Sequence, residues 1–156
     1  MKKIKLNNQK KYAIIDDSFY DEFVKYTWYF SGTGYASRSE WNPNTKKAKT
    51  IYMHRIVANT PNGKQTDHIN LNKLDNRKEN LRICTRKQNS GNVYIPSHNT
   101  SGMKGVGKHA GKWRAYISDK DKHIHLGYFN TKELAAQAYN KKASELFGEF
   151  ALLNKV

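Results

Sequence analysis

The chain is expected to be α+β, built from short antiparallel strands with one long amphipathic helix near the C-terminus. The clearest sign is the run between Asn130 and Gly148, where Leu134, Ala135, Ala138, Tyr139, Ala143, Leu146 and Phe147 recur at helical spacing. The second is the pair of runs 111–117 and 123–129, strand-like and rich in aromatic and aliphatic residues. The third is a hydrophobic content of 37% over 156 residues. That excludes one large core and favours one or two small domains.

In chain order, 12–15 reads as a strand ended by Asp16 and Asp17. Residues 18–26 read as a helix, with Phe19, Phe23 and Val24 on one side and Ser18 or Asp17 as N-cap. Trp28-Tyr29-Phe30 and 35–38 flank the turn Ser31-Gly32-Thr33-Gly34 as a hairpin. Asn42-Pro43-Asn44-Thr45 is a second turn, and 50–53 lead into a short helix near 54–58. The aromatics Tyr12, Phe19, Tyr20, Tyr26, Trp28, Tyr29, Phe30 and Tyr35 are read as packing this small sheet, with stacking on bases as the alternative. Residues 92–100 read as a linker whose Pro96 stops the preceding helix. A strand beginning at 101–106 joins 111–117 and 123–129 to give a three-stranded antiparallel sheet packed on one helix. Asn130 with Glu133 is expected to cap that helix and Gly148 to end it.

Charge points to the partner. Lys and Arg number 28 against 13 acidic residues, for a net +15. Cut at residues 50 and 100, the pieces hold 10 basic against 5 acidic, 8 against 3 and 10 against 5, so each carries +5. Basicity spread this evenly suits a protein lying along a polyanion. No apolar run is long enough to span a membrane, and Met1-Lys2-Lys3-Ile4-Lys5 lacks the apolar core of a secretion signal. Cys84 is the single cysteine, which excludes an internal disulfide, and it is expected as a buried packing residue. A cytoplasmic protein is expected, in a bacterial or phage-infected cell, and not a secreted one.

The informative stretch lies in the middle. Thr66-Asp67-His68-Ile69-Asn70 is followed by Glu79-Asn80-Leu81-Arg82-Ile83 and then Lys87-Gln88-Asn89. Met53-His54-Arg55 stands upstream and Leu74-Asp75-Asn76-Arg77 inside the loop. This pattern resembles the HNH endonucleases of phage and intron homing type. The resemblance implies a small ββα-metal nuclease unit. Carried over by position, Asp67 and Asn89 would hold one divalent cation, His68 would be the general base, and Asn80 would brace the loop. Carboxylate and amide oxygens suit magnesium, manganese or calcium better than zinc, with magnesium or manganese expected. His68, on the opposite side of its strand from Asp67, is expected to face substrate. The last position is Asn where the motif's letters have His, a departure shared by many phage members. Arg82, Arg86 or His54 would contact the phosphate, and Arg82 has Asp75 as an alternative partner.

The C-terminal third resembles the Apetala2/ethylene-response-factor DNA-binding domain. Lys104-Gly105-Val106, Gly111-Lys112-Trp113, Leu126-Gly127-Tyr128-Phe129, residues 131–139 and Ala151-Leu152-Leu153-Asn154 carry the likeness. It implies a sheet laid in the major groove. Strand alternation turns Trp113, Ala115 and Ile117 to the helix, and Arg114, Tyr116 and Ser118 away from it. Lys104, Lys108, Lys112, Arg114, Tyr116, His123 and His125, with His109, are the expected contacts. The plant members carry several Arg and a Trp where this chain has Gly107, Tyr116, Ser118, His123 and His125. Their base preference is therefore not carried over.

The expected division is a basic DNA-contacting region over 1–50, the nuclease motif over 51–95, a linker over 96–100 and the second DNA-binding unit over 101–156. In the first region Arg38, Lys46, Lys47 and Lys49 mark the hairpin face turned to DNA. The expected protein is a metal-dependent endonuclease on double-stranded DNA, acting as a monomer that nicks or a homodimer that breaks both strands. The alternatives are a non-catalytic DNA-binding regulator that keeps both folds for docking, and an RNA-binding basic protein.

Overall fold

The basic N-terminus folds into a strand. In the computed structural model, which describes residues 1–119 and 122–156, Lys2–Leu6 (β1) pairs antiparallel with Lys11–Ile15 (β2). The sequence reading did not include β1, although Lys-Ile-Lys-Leu alternates with period two. Ile4 and Leu6 turn into the core while Lys3 and Lys5 stay exposed. The chain forms two compact units, Met1–Thr85 and Arg86–Val156.

In the first unit, a 3₁₀ turn at Asp17–Phe19 runs into the short helix Tyr20–Phe23 (α1). The helix expected over 18–26 ends early because the Phe23 carbonyl is taken by other donors. It accepts the indole N–H of buried Trp28 at 3.0 Å and the Tyr26 N–H at 3.2 Å. Tyr29–Phe30 (β3), Ala36–Asn42 (β4) and Lys47–Tyr52 (β5) form an antiparallel sheet in that order. Met53–Val57 (α2) follows directly. Gln65–His68 (β6) then pairs antiparallel with Leu81–Cys84 (β7). Ile4, Leu6, Ile15, Phe23, Trp28 and Met53 are the largest side chains of the unit's core. The aromatics divide: Trp28 is buried and Phe19, Tyr20 and Phe30 pack partly buried against the core, whereas Tyr12, Tyr26 and Tyr29 are exposed.

The second unit opens with the four-residue helix Arg86–Asn89 (α3). Val106–His109 (β8), Lys112–Asp119 (β9) and Lys122–Phe129 (β10) form an antiparallel sheet in the order β10-β9-β8. The helix Lys132–Phe147 (α4) packs on it through Ala135, Ala136, Tyr139, Ala143 and Phe147. The approach is close at Gly105. Its φ is 68°, and a Cβ there would stand 2.1 Å from the Tyr139 ring and 2.4 Å from the Tyr116 carbonyl. Only glycine fits both the left-handed backbone and that gap.

Two local expectations shift. The α4 cap is Thr131, whose hydroxyl accepts the Leu134 N–H at 3.2 Å, and not Asn130. Gly148 does end the helix, at φ 56°. The helix before the linker stops at Asn89, well ahead of Pro96, so the proline is not what terminates it.

Candidate active site

Strand β6 brings Asp67 and His68 to one end of a two-stranded ladder, in which Asp67 faces Arg82 and His68 faces Leu81. Both side chains are buried, each residue 4% exposed. A buried carboxylate needs a cationic or hydrogen-bonding partner. Arg82 supplies it, donating from Nε and Nη2 to Asp67 Oδ2, each at 2.8 Å. Arg82 therefore serves the carboxylate across the ladder, neither Asp75 nor an open phosphate-binding surface.

His68 lies among rings. The Tyr35 centroid is 5.8 Å away and the His54 centroid 5.2 Å, edge-on. Neighbouring rings pack around the imidazole, which is buried and not turned to bulk solvent. Burial holds its pKa below the usual histidine range, offset in part by the hydrogen bond to Asn76. His68 is therefore neutral at neutral pH, as a proton acceptor must be.

Its tautomer follows from the Asn76 amide. Asn76 Nδ2 donates to the Leu74 carbonyl at 3.2 Å and to the Met53 sulfur at 3.6 Å. This turns Oδ1, an acceptor, toward His68 Nε2 at 3.3 Å. Nε2 then carries the proton and Nδ1 keeps the basic lone pair.

His54, on α2, completes the cluster. It stacks on Tyr52 at 5.5 Å and tilts against Tyr35 at 4.6 Å. Burial, with smaller contributions from the His68 and Arg55 charges, pushes its pKa down to about 3. Its Nδ1 is buried without a hydrogen-bond partner. Arg55, beside it, closes the chain between α2 and β6 by donating to the carbonyls of Thr60, Pro61 and Lys64. Sequence reasoning missed Tyr35, Tyr52 and the orienting part of Asn76. The one signal was that Asn76 lies in the loop already singled out.

That loop is braced from within. Asn80 Oδ1 accepts the Asn70 N–H at 3.0 Å, and its Nδ2 donates to the Asp75 carbonyl at 2.8 Å. Asp75, buried, accepts from Arg77 Nε at 2.8 Å, Arg77 Nη2 at 2.7 Å and Asn70 Nδ2 at 2.9 Å. The Arg77 hydrogen bonds hold its carboxyl below the usual range. The loop is also tied to β2: the Ile14 N–H donates to Leu74 O and the Asn76 N–H to Ile14 O, both at 2.8 Å.

Among the described residues no three His, Cys, Asp or Glu side chains converge as a metal cage. A magnesium-type ion is commonly held by one or two carboxylates with several waters and substrate oxygens. The Asp67 carboxylate, held at Oδ2 by Arg82, is an oxygen ligand of that kind. Asn89 is the last residue of α3, in the second unit. Cys84 is buried, and burial pushes its thiol up to about 11, as expected of a packing residue.

The expected DNA contacts separate into two groups. Lys112, Arg114, Tyr116, His123 and His125 are exposed, as is Arg86 on α3. Cross-strand pairing puts His109 with Lys112, Tyr116 with His125 and Ser118 with His123 on the outer face. A bulge between His125 and Gly127 shifts the alternation and adds Tyr128 to this face, opposite Arg114. The Tyr128 ring stacks on His109 at 5.6 Å and tilts against His125 at 4.7 Å. The bulge, invisible to strict alternation, is why Tyr128 was missed. Three expected contacts lie elsewhere. Lys108 pairs with Trp113, on the helix side of the sheet, with its ammonium 5.6 Å from that ring. Lys104 is half-buried and donates to Gly91 O at 2.6 Å, and burial lowers it to about 8. Arg38 is folded over the Tyr26 ring at 4.2 Å and paired with Glu40 at 3.2 Å.

Residues 52–90 match a family model described as HNH endonuclease. An uncharacterized HNH endonuclease of Acanthamoeba polyphaga mimivirus is 36% identical over 132 residues, covering 85% of this chain and 68% of the relative. Protein 3.8 of Escherichia phage T7 is 36% identical over 93 residues, covering 58% of this chain and 76% of the relative. A likeness of that extent, centred on the segment that holds Asp67, His68 and Asn80, makes this chain a member of the HNH endonuclease family.

Proposed function

We propose that the protein hydrolyses phosphodiester bonds of double-stranded DNA, with His68 as the general base. The observation that carries this is the His68–Asn76 contact, which leaves Nδ1 as the lone pair on a neutral imidazole beside a buried carboxylate. His68 Nδ1 takes a proton from water. The water oxygen bonds to phosphorus, and the bond from phosphorus to the departing sugar oxygen breaks, that oxygen then taking a proton from solvent. Tyr35 and His54 hold the imidazole plane, and Arg82 orients the Asp67 carboxylate. A divalent cation on Asp67, magnesium or manganese, would supply charge stabilisation to the phosphoryl oxygens. Asn89 as a further ligand rests on the HNH resemblance. The outer face of the second unit, with Arg114, Tyr116, His125 and Tyr128, is proposed to dock on flanking duplex in the manner of an Apetala2-like sheet. Site-specific cutting of homing type belongs to the same reading.

The test is conversion of supercoiled plasmid with magnesium or manganese, against a chelator control. Wild type is expected to cut only with the metal. His68→Ala is expected to lose roughly two to four orders of magnitude in rate while binding DNA within a few-fold of wild type. Turnover of His68→Ala near the wild-type rate would end the assignment. Duplex binding without metal-dependent cutting by wild type would favour a DNA-binding regulator.

A further inference from the structure

The outer half of the β4–β5 ribbon stands clear of the core. Residues 39–42 and 47–50 are exposed along both strands, so both faces meet solvent. Trp41, near the turn, is 62% exposed. A single exposed apolar side chain needs no explanation; what surrounds this one does. The register sets Trp41 opposite Ala48, then Ser39 opposite Thr50, then Ser37 opposite Tyr52, all on one face. The intervening side chains are small and leave the indole uncovered. The row ends at Tyr52, whose ring stacks on His54, which packs against His68. One sheet face thus runs from the indole to the ring cluster around His68. Lys47 and Lys49 lie on the other face, and Arg38 and Glu40 there neutralise each other. The turn is stiffened by Asn42 Oδ1, which accepts the N–H groups of Asn44 at 3.0 Å and Thr45 at 3.2 Å.

We propose that this ribbon is an arm that enters a groove of duplex DNA beside the cut, with Trp41 as its base-stacking residue. The proposal rests on the nuclease reading above. A two-stranded ribbon has the width to enter the major groove. Lys46, Lys47 and Lys49 would meet phosphates, which position without reading sequence. Base faces within a duplex are already stacked on one another, so the indole would stack by wedging into one base step and partly unstacking it. Trp41 and Ser37 are four residues apart, about 13 Å along a strand. The stacking contact therefore falls a few base pairs from the scissile bond.

The experiment uses the full chain carrying His68→Ala, titrated with a blunt mixed-sequence duplex and followed by tryptophan fluorescence and anisotropy. Duplex is expected to quench the parent. Trp41→Phe should lose most of the quench and keep affinity within a few-fold, because phenylalanine still stacks. Trp41→Ala should bind about 5- to 100-fold more weakly, with an unchanged melting temperature because the side chain is outside the core. An undiminished quench in Trp41→Phe, or Trp41→Ala affinity within two-fold of the parent, would overturn the proposal. So would quenching by structured RNA and not by duplex DNA. The titration does not depend on cleavage: duplex bound with the Trp41 quench but never cut by wild type would sink the nuclease reading and leave the arm standing.

Discussion

His54 is the side chain whose chemistry departs furthest from its type. It is 7% exposed, and burial pushes its pKa from 6.5 down to about 3. An unfolded chain protonates this histidine near pH 6.5, whereas the folded one keeps it neutral. The unfolded state then binds the extra proton, so stability is full above pH 6.5 and falls as pH drops toward 3, by about 1.4 kcal/mol per pH unit for one such group. Burial lowers His68 in the same direction, so its contribution falls with it. His54→Phe keeps the ring and removes both the titration and the unpartnered Nδ1. It is expected to flatten the acid limb of a plot of unfolding free energy against pH, measured by urea titration. An unchanged slope between pH 6 and pH 4 would mean that the acid loss arises elsewhere.

The loop between β6 and β7 depends on polar side chains more than on apolar packing. Asp75 gathers Arg77 and Asn70, and its carbonyl receives Asn80. Asp75→Ala removes three charge-assisted or amide hydrogen bonds at a buried position. A loss of about 2–4 kcal/mol in stability is expected, read from denaturant midpoints, together with faster amide exchange over residues 69–80. Arg77 is partly exposed and also pairs with Glu79, so it can turn toward water and soften the loss. A loss below about 1 kcal/mol would mean that the Asn80 bonds to the backbone and the Ile14 backbone bonds hold the loop without the Asp75 carboxylate. The same dependence explains what was readable in this element. Asp67, His68 and Asn80, with Asp75 and Asn76 between them, stood out as a spaced set of polar residues, since chemistry of this kind has few substitutes. The direction of the imidazole did not, because it depends on Tyr35 and His54, which come from another part of the chain and a helix.

Two units sharing the charge make a salt test informative. Met1–Thr85 has 16 basic against 8 acidic residues and Arg86–Val156 has 12 against 5, so they carry +8 and +7. Removing 101–156 takes away +5 of this charge and the whole β8–β10 face. The truncated chain is expected to bind duplex more weakly and with a shallower dependence of log affinity on log salt. The slope should fall by about 0.9 for each phosphate that the shortened protein no longer neutralises. An unchanged slope in a binding series across salt concentrations would mean that the second unit touches few phosphates. Within the full chain, Arg114→Ala separates reading from positioning. A loss of about 1–3 kcal/mol confined to one base position marks a base contact, whereas a uniform loss marks a phosphate contact.

Much of this protein is legible in the local chemistry of its chain. The α4 periodicity and its glycine stop, the strands β9 and β10, the spaced Asp67, His68 and Asn80, the buried Cys84 and the even spread of basic charge are all properties of short segments or of composition, whereas the strand expected from 101 begins only at Val106. Period and spacing survive in a linear chain because each rests on a residue's own geometry. What the linear chain does not carry is which side chain meets which across distant elements. Arg82 chose Asp67 over Asp75 because β6 and β7 pair in that register. Arg38 and Lys104 left the surface because Tyr26 and the Gly91 carbonyl were within reach. Tyr128 joined the outer face because one extra residue at the bulge shifted the alternation. Each of these is a pairing between elements, set by packing that closes only when the whole unit has folded.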